Sequence, residues 1–524
     1  MHELNLKTIK GSLIIIVTAV IFVMVGGITI LRGNYYLRSK FVVLEWDFIK
    51  TEVAYANQNY GGVVSWMFRK DVPNQESGKA KSIPILLYHG VIEDPNWKPD
   101  NVNISLSDFR SQMFALKKAG YQTVTLSQFL SFVRGNTELP EKSIMITFDD
   151  ARKDSFYPVD PVLRTLDYNA VMFVITGRSI GSGNEKNTYF HLSEQELSKM
   201  LDSGRWEVGS HTQNGHDTEK IDASGTMGHF LSDRIWLESE GRIETVAEYR
   251  KRISDDLLGS KIDLEKNLGI DVLGFAYPFG DYGQNTQNFS DSKKTLNEET
   301  SVIFPISFRQ TGNYEFPQDY PGKNLYLAKR INMDSSMTQE RLLAVLDGGR
   351  EKSIPYEDSF GSDNGWLVGW GSSELKKGLF LTGASDSEDS SLSFLNGTYS
   401  WTDYTVSANV QILKGNSFAL VARYIDGNSY VSCDFSPQGV ALSGRVNGNE
   451  TEISESLSIS GVEVGKDIPV GISVAGNQAS CYIGDKIVTS GIISEKLSHG
   501  GIGFKTWDNN VNNSSVLVST VKVN

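Results

Sequence analysis

An α/β domain with a mainly parallel sheet, preceded by a membrane-spanning helix and followed by an all-β sandwich, is the architecture this sequence predicts. Three observations predict it: one long uncharged segment near the start, a central stretch where short apolar runs alternate with helical patterns, and a last third whose apolar residues recur with period two. With 524 residues the chain also exceeds what one hydrophobic core ordinarily serves, so several folded units are expected.

Ser12 to Leu31 carries no charge and is long enough against the roughly 20 apolar residues that a bilayer span needs. A cleaved signal peptide has an apolar core of about 7–15 residues before a small-residue cleavage site. Here the bulky, charged run RGNYYLRSK follows instead, which favours an uncleaved single-pass anchor over 12–31 with a cytoplasmic tail at 1–11. Lys7 and Lys10 before the segment balance Arg32, Arg38 and Lys40 after it, so flanking charge does not orient it. Residues 32–82 read as a juxtamembrane stalk that ends in the polar KDVPNQESGKAKS.

From Ile83 to Gly349 the pattern is strand, helix, strand. IPILLYH reads as a buried strand; Ser107 to Lys118 as a helix with Ser107 as N-cap and Gly120 just beyond its end; Ser127 to Arg134 as a second helix; SIMITF as a strand; Val159 to Leu166 as a helix; AVMFVIT as a strand; Ser193 to Ser203 as a helix. After a linker at 350–359, residues 360–524 alternate, as in Tyr404, Val406, Ala408, Val410 and Ile412, with a hairpin turn at Asp426 to Asn428. The net charge of -13 excludes a nucleic-acid partner. Cys433 and Cys481, the two cysteines, read as buried core residues or as a pair, and they exclude a cysteine-based zinc site.

Chemistry concentrates at two places. Thr147-Phe148-Asp149-Asp150 sets two carboxylates at the end of a strand, where α/β active sites collect. His211 and His216 in SHTQNGH lie five apart, about 140° round a helix, so they converge only from a turn, which Asn214-Gly215 favours. One carboxylate and two imidazoles suit a divalent transition metal with open positions. Paired acids and spaced histidines are each common on surfaces; both placed after apolar strands of one domain are not.

IMITFDD, then EVGSHTQNGH, then GFAYPFGDYG resemble the NodB-homology polysaccharide deacetylases, carbohydrate esterase family 4. LLYHG ahead of them is most similar to the poly-N-acetylglucosamine deacetylase branch, whose barrel is circularly permuted. The resemblance implies a distorted (β/α)7 barrel, a metal (zinc first, then nickel, iron or cobalt) on Asp150, His211 and His216, and Asp149 as catalytic base. It further implies an oxyanion donor within Tyr277-Pro278-Phe279 and His89 as proton donor, since Arg330 to Asp334 holds no histidine. The structural alternative for His89 is a satisfied histidine at a strand end. Ala276 stands where many members carry the arginine that orients the base, so Arg330 or Arg309 is expected to replace it. Asp281 and His191 are further candidates for structural or substrate contacts. Tyr277 and Phe279 either line a sugar groove or pack in the barrel.

The C-terminal third resembles concanavalin A-like jelly rolls, whose exposed aromatics bind glycans; Trp366, Trp370 and Trp507 are candidates for that role or for the core. The implied activity is removal of N-acetyl groups from an N-acetylhexosamine polysaccharide outside the cell membrane. The alternative is a catalytically silent glycan-binding surface protein, which has no need to keep Asp149, Asp150, His211 and His216 together.

Overall fold

Seven short strands, each delivered to the next by a crossover, close into a parallel barrel: β1 (Ile83–Tyr88), β2 (Ser143–Phe148), β3 (Ala170–Val174), β4 (Trp206–Ser210), β5 (Gly274–Ala276), β6 (Ile306–Gln310) and β7 (Leu327–Asn332). β1 pairs with both β2 and β7, and that pairing completes the ring. The computed structural model describes residues 78–180, 189–322, 326–384, 390–457, 461–508 and 513–524. The expected anchor at 12–31 and most of the stalk lie outside these residues. Among the described residues no helix is long and apolar enough to cross a membrane.

The strands β1, β2 and β3 are buried along their whole lengths, which is why they read as unbroken apolar runs rather than alternating ones. Helix α1 (Leu106–Lys118) is capped two residues earlier than expected: Ser105, not Ser107, accepts the Asp108 N–H. Thr125 with Gln128 and Ser193 with Glu196 close capping boxes on α2 (Leu126–Val133) and on the helix Glu194–Asp202. Residues 156–168 belong to a separate unit, in which helix Asp160–Leu166 opens with Pro161 and ends on a left-handed Asp167.

Two antiparallel sheets form the C-terminal sandwich. Strand Tyr404–Lys414 shows the expected alternation, and Asp426 turns the chain between Ser417–Asp426 and Ser429–Ser436 by accepting the Asn428 N–H. Tyr356–Asp358, inside the stretch expected to be a linker, pairs with Ser515–Val523 as a strand. Cys433 and Cys481, both buried in the core, are disulfide-bonded, which settles the open choice in favour of the pair. Cys433 lies in one sheet and Cys481 in the other, so the bridge ties the layers across the core.

Sandwich and barrel meet on an aromatic cluster. Phe316, from the loop after β6, packs against Phe394, Tyr399 and Tyr424, and Tyr424 donates its hydroxyl hydrogen to the Tyr314 carbonyl at 2.6 Å. Trp366 is buried in the sandwich core with its indole N–H on Asp358, and Trp370 and Trp507 pack against the junction cluster. All three tryptophans named for sugar stacking are therefore engaged in packing.

The disulfide closes a loop of 48 residues. Cys433→Ser/Cys481→Ser is expected to lower the stability of the sandwich by about 3–4 kcal/mol, measured by denaturant unfolding against the oxidised parent; an unchanged midpoint would contradict the bridge.

Candidate active site

At the carboxyl end of β2 the backbone turns through two left-handed residues in succession, Asp150 (φ 72) and Ala151 (φ 54). Neither is glycine, so the turn stores strain of order 1–3 kcal/mol per residue. It separates the two carboxylates. Asp149 turns inward and is almost fully buried, while Asp150 faces the histidines.

Asp149 meets a complementary partner. Arg330 of β7, with no exposed surface, donates Nη1 to Oδ1 at 2.6 Å and Nη2 to Oδ2 at 2.7 Å, a bidentate pair. Burial raises the Asp149 pKa, but the charge of Arg330 and of His211, with the Arg330 hydrogen bonds, reverses this and holds the carboxyl below its ordinary range. Arg330 therefore supplies the support that Ala276 lacks. Arg309 does not: it forms its own bidentate pair with Glu315 at 2.6 and 2.5 Å.

His211 and His216 converge on Asp150. His211 Nε2 lies 3.5 Å and His216 Nε2 3.2 Å from Asp150 Oδ1, and one ligand atom from each of the three residues lies within 4.8 Å of the others. The other nitrogen of His211, Nδ1, contacts the Ala276 carbonyl at 2.7 Å, which leaves Nε2 facing the carboxylate. Burial pushes the His211 pKa down to about 4, so the ring is neutral at pH 7 and fit to ligate. Asp150 Oδ1 is buried and accepts no hydrogen bond, an orphaned acceptor that a cation would satisfy. The donor set fits a divalent transition metal.

The turn between the histidines is held from outside. Asp256, on helix Val246–Leu268, accepts the N–H groups of Gln213 (3.0 Å) and Asn214 (2.7 Å). Nothing in the motifs named this residue, yet a signal existed: it is an acid in the buried stripe Tyr249, Ile253, Leu257, Ser260, Leu264. His191 contacts the Asp150 carbonyl through Nδ1 at 2.8 Å, so it braces the strained turn. His89, at the end of β1, bears electrostatically on both Asp149 and Asp150, and its buried Nδ1 has no hydrogen-bond partner.

The third motif divides in two. Tyr277 is fully buried with its hydroxyl 2.7 Å from Thr300 Oγ1, so it packs in the barrel rather than lining a groove. Phe279, 45% exposed and left-handed at φ 59, sits against His216 at 4.7 Å between ring centroids. Pro278 has no N–H and the Tyr277 N–H donates to the Phe308 carbonyl, which leaves the Phe279 N–H as this segment's candidate oxyanion donor. Asp281 binds His229, a histidine that the motifs did not mark, at 2.5 Å.

Residues 136–294 match the family model described as polysaccharide deacetylase, a span holding both acids, both histidines and the third motif. Over these residues the barrel matches the polysaccharide deacetylases. β1 and His89 lie ahead of the matched span. The poly-beta-1,6-N-acetyl-D-glucosamine N-deacetylase of Escherichia coli (strain K12) is 28% identical over 199 residues, 36% of this chain and 30% of that protein. The protein of the same name from Staphylococcus aureus (strain MRSA252) is 26% identical over 252 residues, 48% of this chain and 74% of that protein. The chain thus spans under a third of the E. coli protein and about three quarters of the S. aureus one. A solved de-N-acetylase from Aggregatibacter actinomycetemcomitans is similar to this chain at 19% identity and a TM-score of 0.43, covering 50% of this chain and 99% of that one.

Zinc added to metal-stripped protein is expected to bind stoichiometrically in isothermal titration calorimetry, and Asp150→Asn to abolish binding. Asp256→Asn, which loosens the histidine turn, is expected to weaken affinity by about 10–100-fold. Retained wild-type affinity in Asp150→Asn would show that the ion sits elsewhere, and in Asp256→Asn that the turn keeps its geometry without that carboxylate.

Proposed function

We propose that this chain hydrolyses N-acetyl groups of a β-1,6-linked N-acetylglucosamine polysaccharide, with a divalent metal, outside the cytoplasmic membrane. The observation that carries the reading is the convergence of Asp150, His211 and His216 beside a buried carboxylate that Arg330 keeps ionised. The polymer is taken from the names of the relatives, membrane attachment from the uncharged segment Ser12 to Leu31, and the extracytoplasmic side from the glycan nature of that substrate. Zinc is the first choice of ion, with nickel, iron or cobalt also compatible with nitrogen and oxygen donors.

A metal held by Asp150, His211 and His216 supplies Lewis acidity toward the acetamide carbonyl and toward water. Asp149 accepts a proton from the attacking water, and Arg330 fixes the carboxylate so that its position is set before substrate arrives. As the water oxygen bonds to the carbonyl carbon, negative charge grows on the carbonyl oxygen and the Phe279 N–H donates to it. The carbon–nitrogen bond then breaks. His89 gives a proton to the departing amine, and acetate and a free amino sugar leave.

The silent-binder alternative loses ground on two counts: the sandwich tryptophans are taken up in packing, and a binding module has no use for a buried, paired Asp149 beside a strained Asp150.

Acetate release from β-1,6-linked N-acetylglucosamine oligomers is expected, lost with a chelator and restored by zinc. Asp149→Asn is expected to lower kcat by about 10²–10⁴ with zinc binding kept. No acetate from the zinc-loaded protein would refute the enzyme reading.

Because Arg330 is the main influence lowering the Asp149 pKa, Arg330→Gln is expected to move the acid limb of kcat/KM to higher pH. The same pair adds stability that is present above the carboxyl's unfolded pKa and lost as pH falls, so the variant's deficit in melting temperature should shrink in acid.

A further inference from the structure

We infer that His229 and Asp281 are positioning residues that hold the Phe279 backbone N–H at the angle an oxyanion requires. The inference rests on the deacetylase reading and adds a part to its site.

Phe279 is an unstable element by itself. A bulky aromatic residue with φ 59 prefers to relax toward negative φ, and such a rotation would change the angle between its N–H and the ring and turn that follow. Core burial does not restrain it, because the side chain is 45% exposed. Two rings do. His216 meets it at 4.7 Å with an interplanar angle of 49°, and His229 stacks on it at 4.6 Å and 15°.

His229 is itself fixed at three points. It ends the short strand Met227–His229, which pairs with Thr218–Lys220. Its N–H donates to Asp233 Oδ2 at 2.9 Å. Its Nδ1 lies 2.5 Å from Asp281 Oδ2. Asp281, 1% exposed, also accepts the Gly283 N–H through Oδ1 at 3.0 Å, and its own N–H donates to the Pro278 carbonyl. Phe279 and Asp281 are thus two residues apart on one tight turn, and His229 touches both, one by stacking and one by a charge-assisted hydrogen bond. A ring that grips the turn at both places opposes the rotation that φ 59 favours.

The test uses the full chain with zinc and β-1,6-linked N-acetylglucosamine oligomers. His229→Ala is expected to lower kcat by about tenfold or more, within the loss seen for removing an oxyanion donor, with KM and zinc affinity within about twofold of the parent. His229→Phe/Asp281→Asn keeps the ring on Phe279 but gives up the hydrogen bond to residue 281 and has no titratable pair; it is expected to recover part of kcat, between His229→Ala and the parent. Amide hydrogen exchange in a peptide covering 277–283, measured without metal or substrate, is expected to be faster in His229→Ala alone. An unchanged kcat, an unchanged exchange rate, or a loss that the ring-bearing double variant does not recover would overturn the positioning role, the last by making His229 a proton-transfer group. No acetate from the parent protein would instead refute the deacetylase reading, and the exchange experiment would still decide whether His229 holds the turn.

Discussion

The Asp149–Arg330 pair is the interaction on which the site depends. A carboxylate buried to this degree ionises only if its charge is met, and the penalty for an unmet one is several kcal/mol. Arg330 comes from the last barrel strand, 181 residues away, and reaches Asp149 only because β1 closes the ring between β7 and β2. Closure of the barrel and ionisation of Asp149 are therefore one structural event. Strand β1, which brings His89, is what joins them.

Around this pair, support is graded outward from the histidines. The Ala276 carbonyl sets which nitrogen His211 presents, Asp256 gathers the N–H groups of the turn to His216, and His191 braces the strained Asp150 backbone. None of these needs to touch substrate. Each removes freedom from a group that would otherwise have to be ordered at the moment of binding, which is how a site of few residues acquires a fixed geometry. Phe279 belongs to the same scheme, since its ring lies between a ligand-type histidine and the Asp281–His229 pair.

The sandwich answers to a different constraint. Its two layers are tied by Cys433–Cys481, and its aromatic residues serve its own core and the seam with the loop after β6. Tyr424 reaching the Tyr314 carbonyl, and Phe316 inserted among Phe394, Tyr399 and Tyr424, commit much of the aromatic surface of that end to packing.

Local pattern was enough for the strands IPILLY, SIMITF and AVMFV, for the capped helices to within a residue or two, and for the alternating strand Tyr404–Lys414, because burial on both faces, capping and period-two exposure are each written in neighbouring residues. The convergence of Asp150, His211 and His216 was legible for the same reason, as was the need for those histidines to meet through a turn. What the sequence left open was every choice between distant partners: Arg330 over Arg309 for Asp149, the disulfide between Cys433 and Cys481, packing over display for the tryptophans. Asp256 and His229 were not marked at all. Such pairings depend on which strands close the barrel and which loops fold back over it, and no short-range pattern encodes a contact whose partner is set only once the sheet has formed.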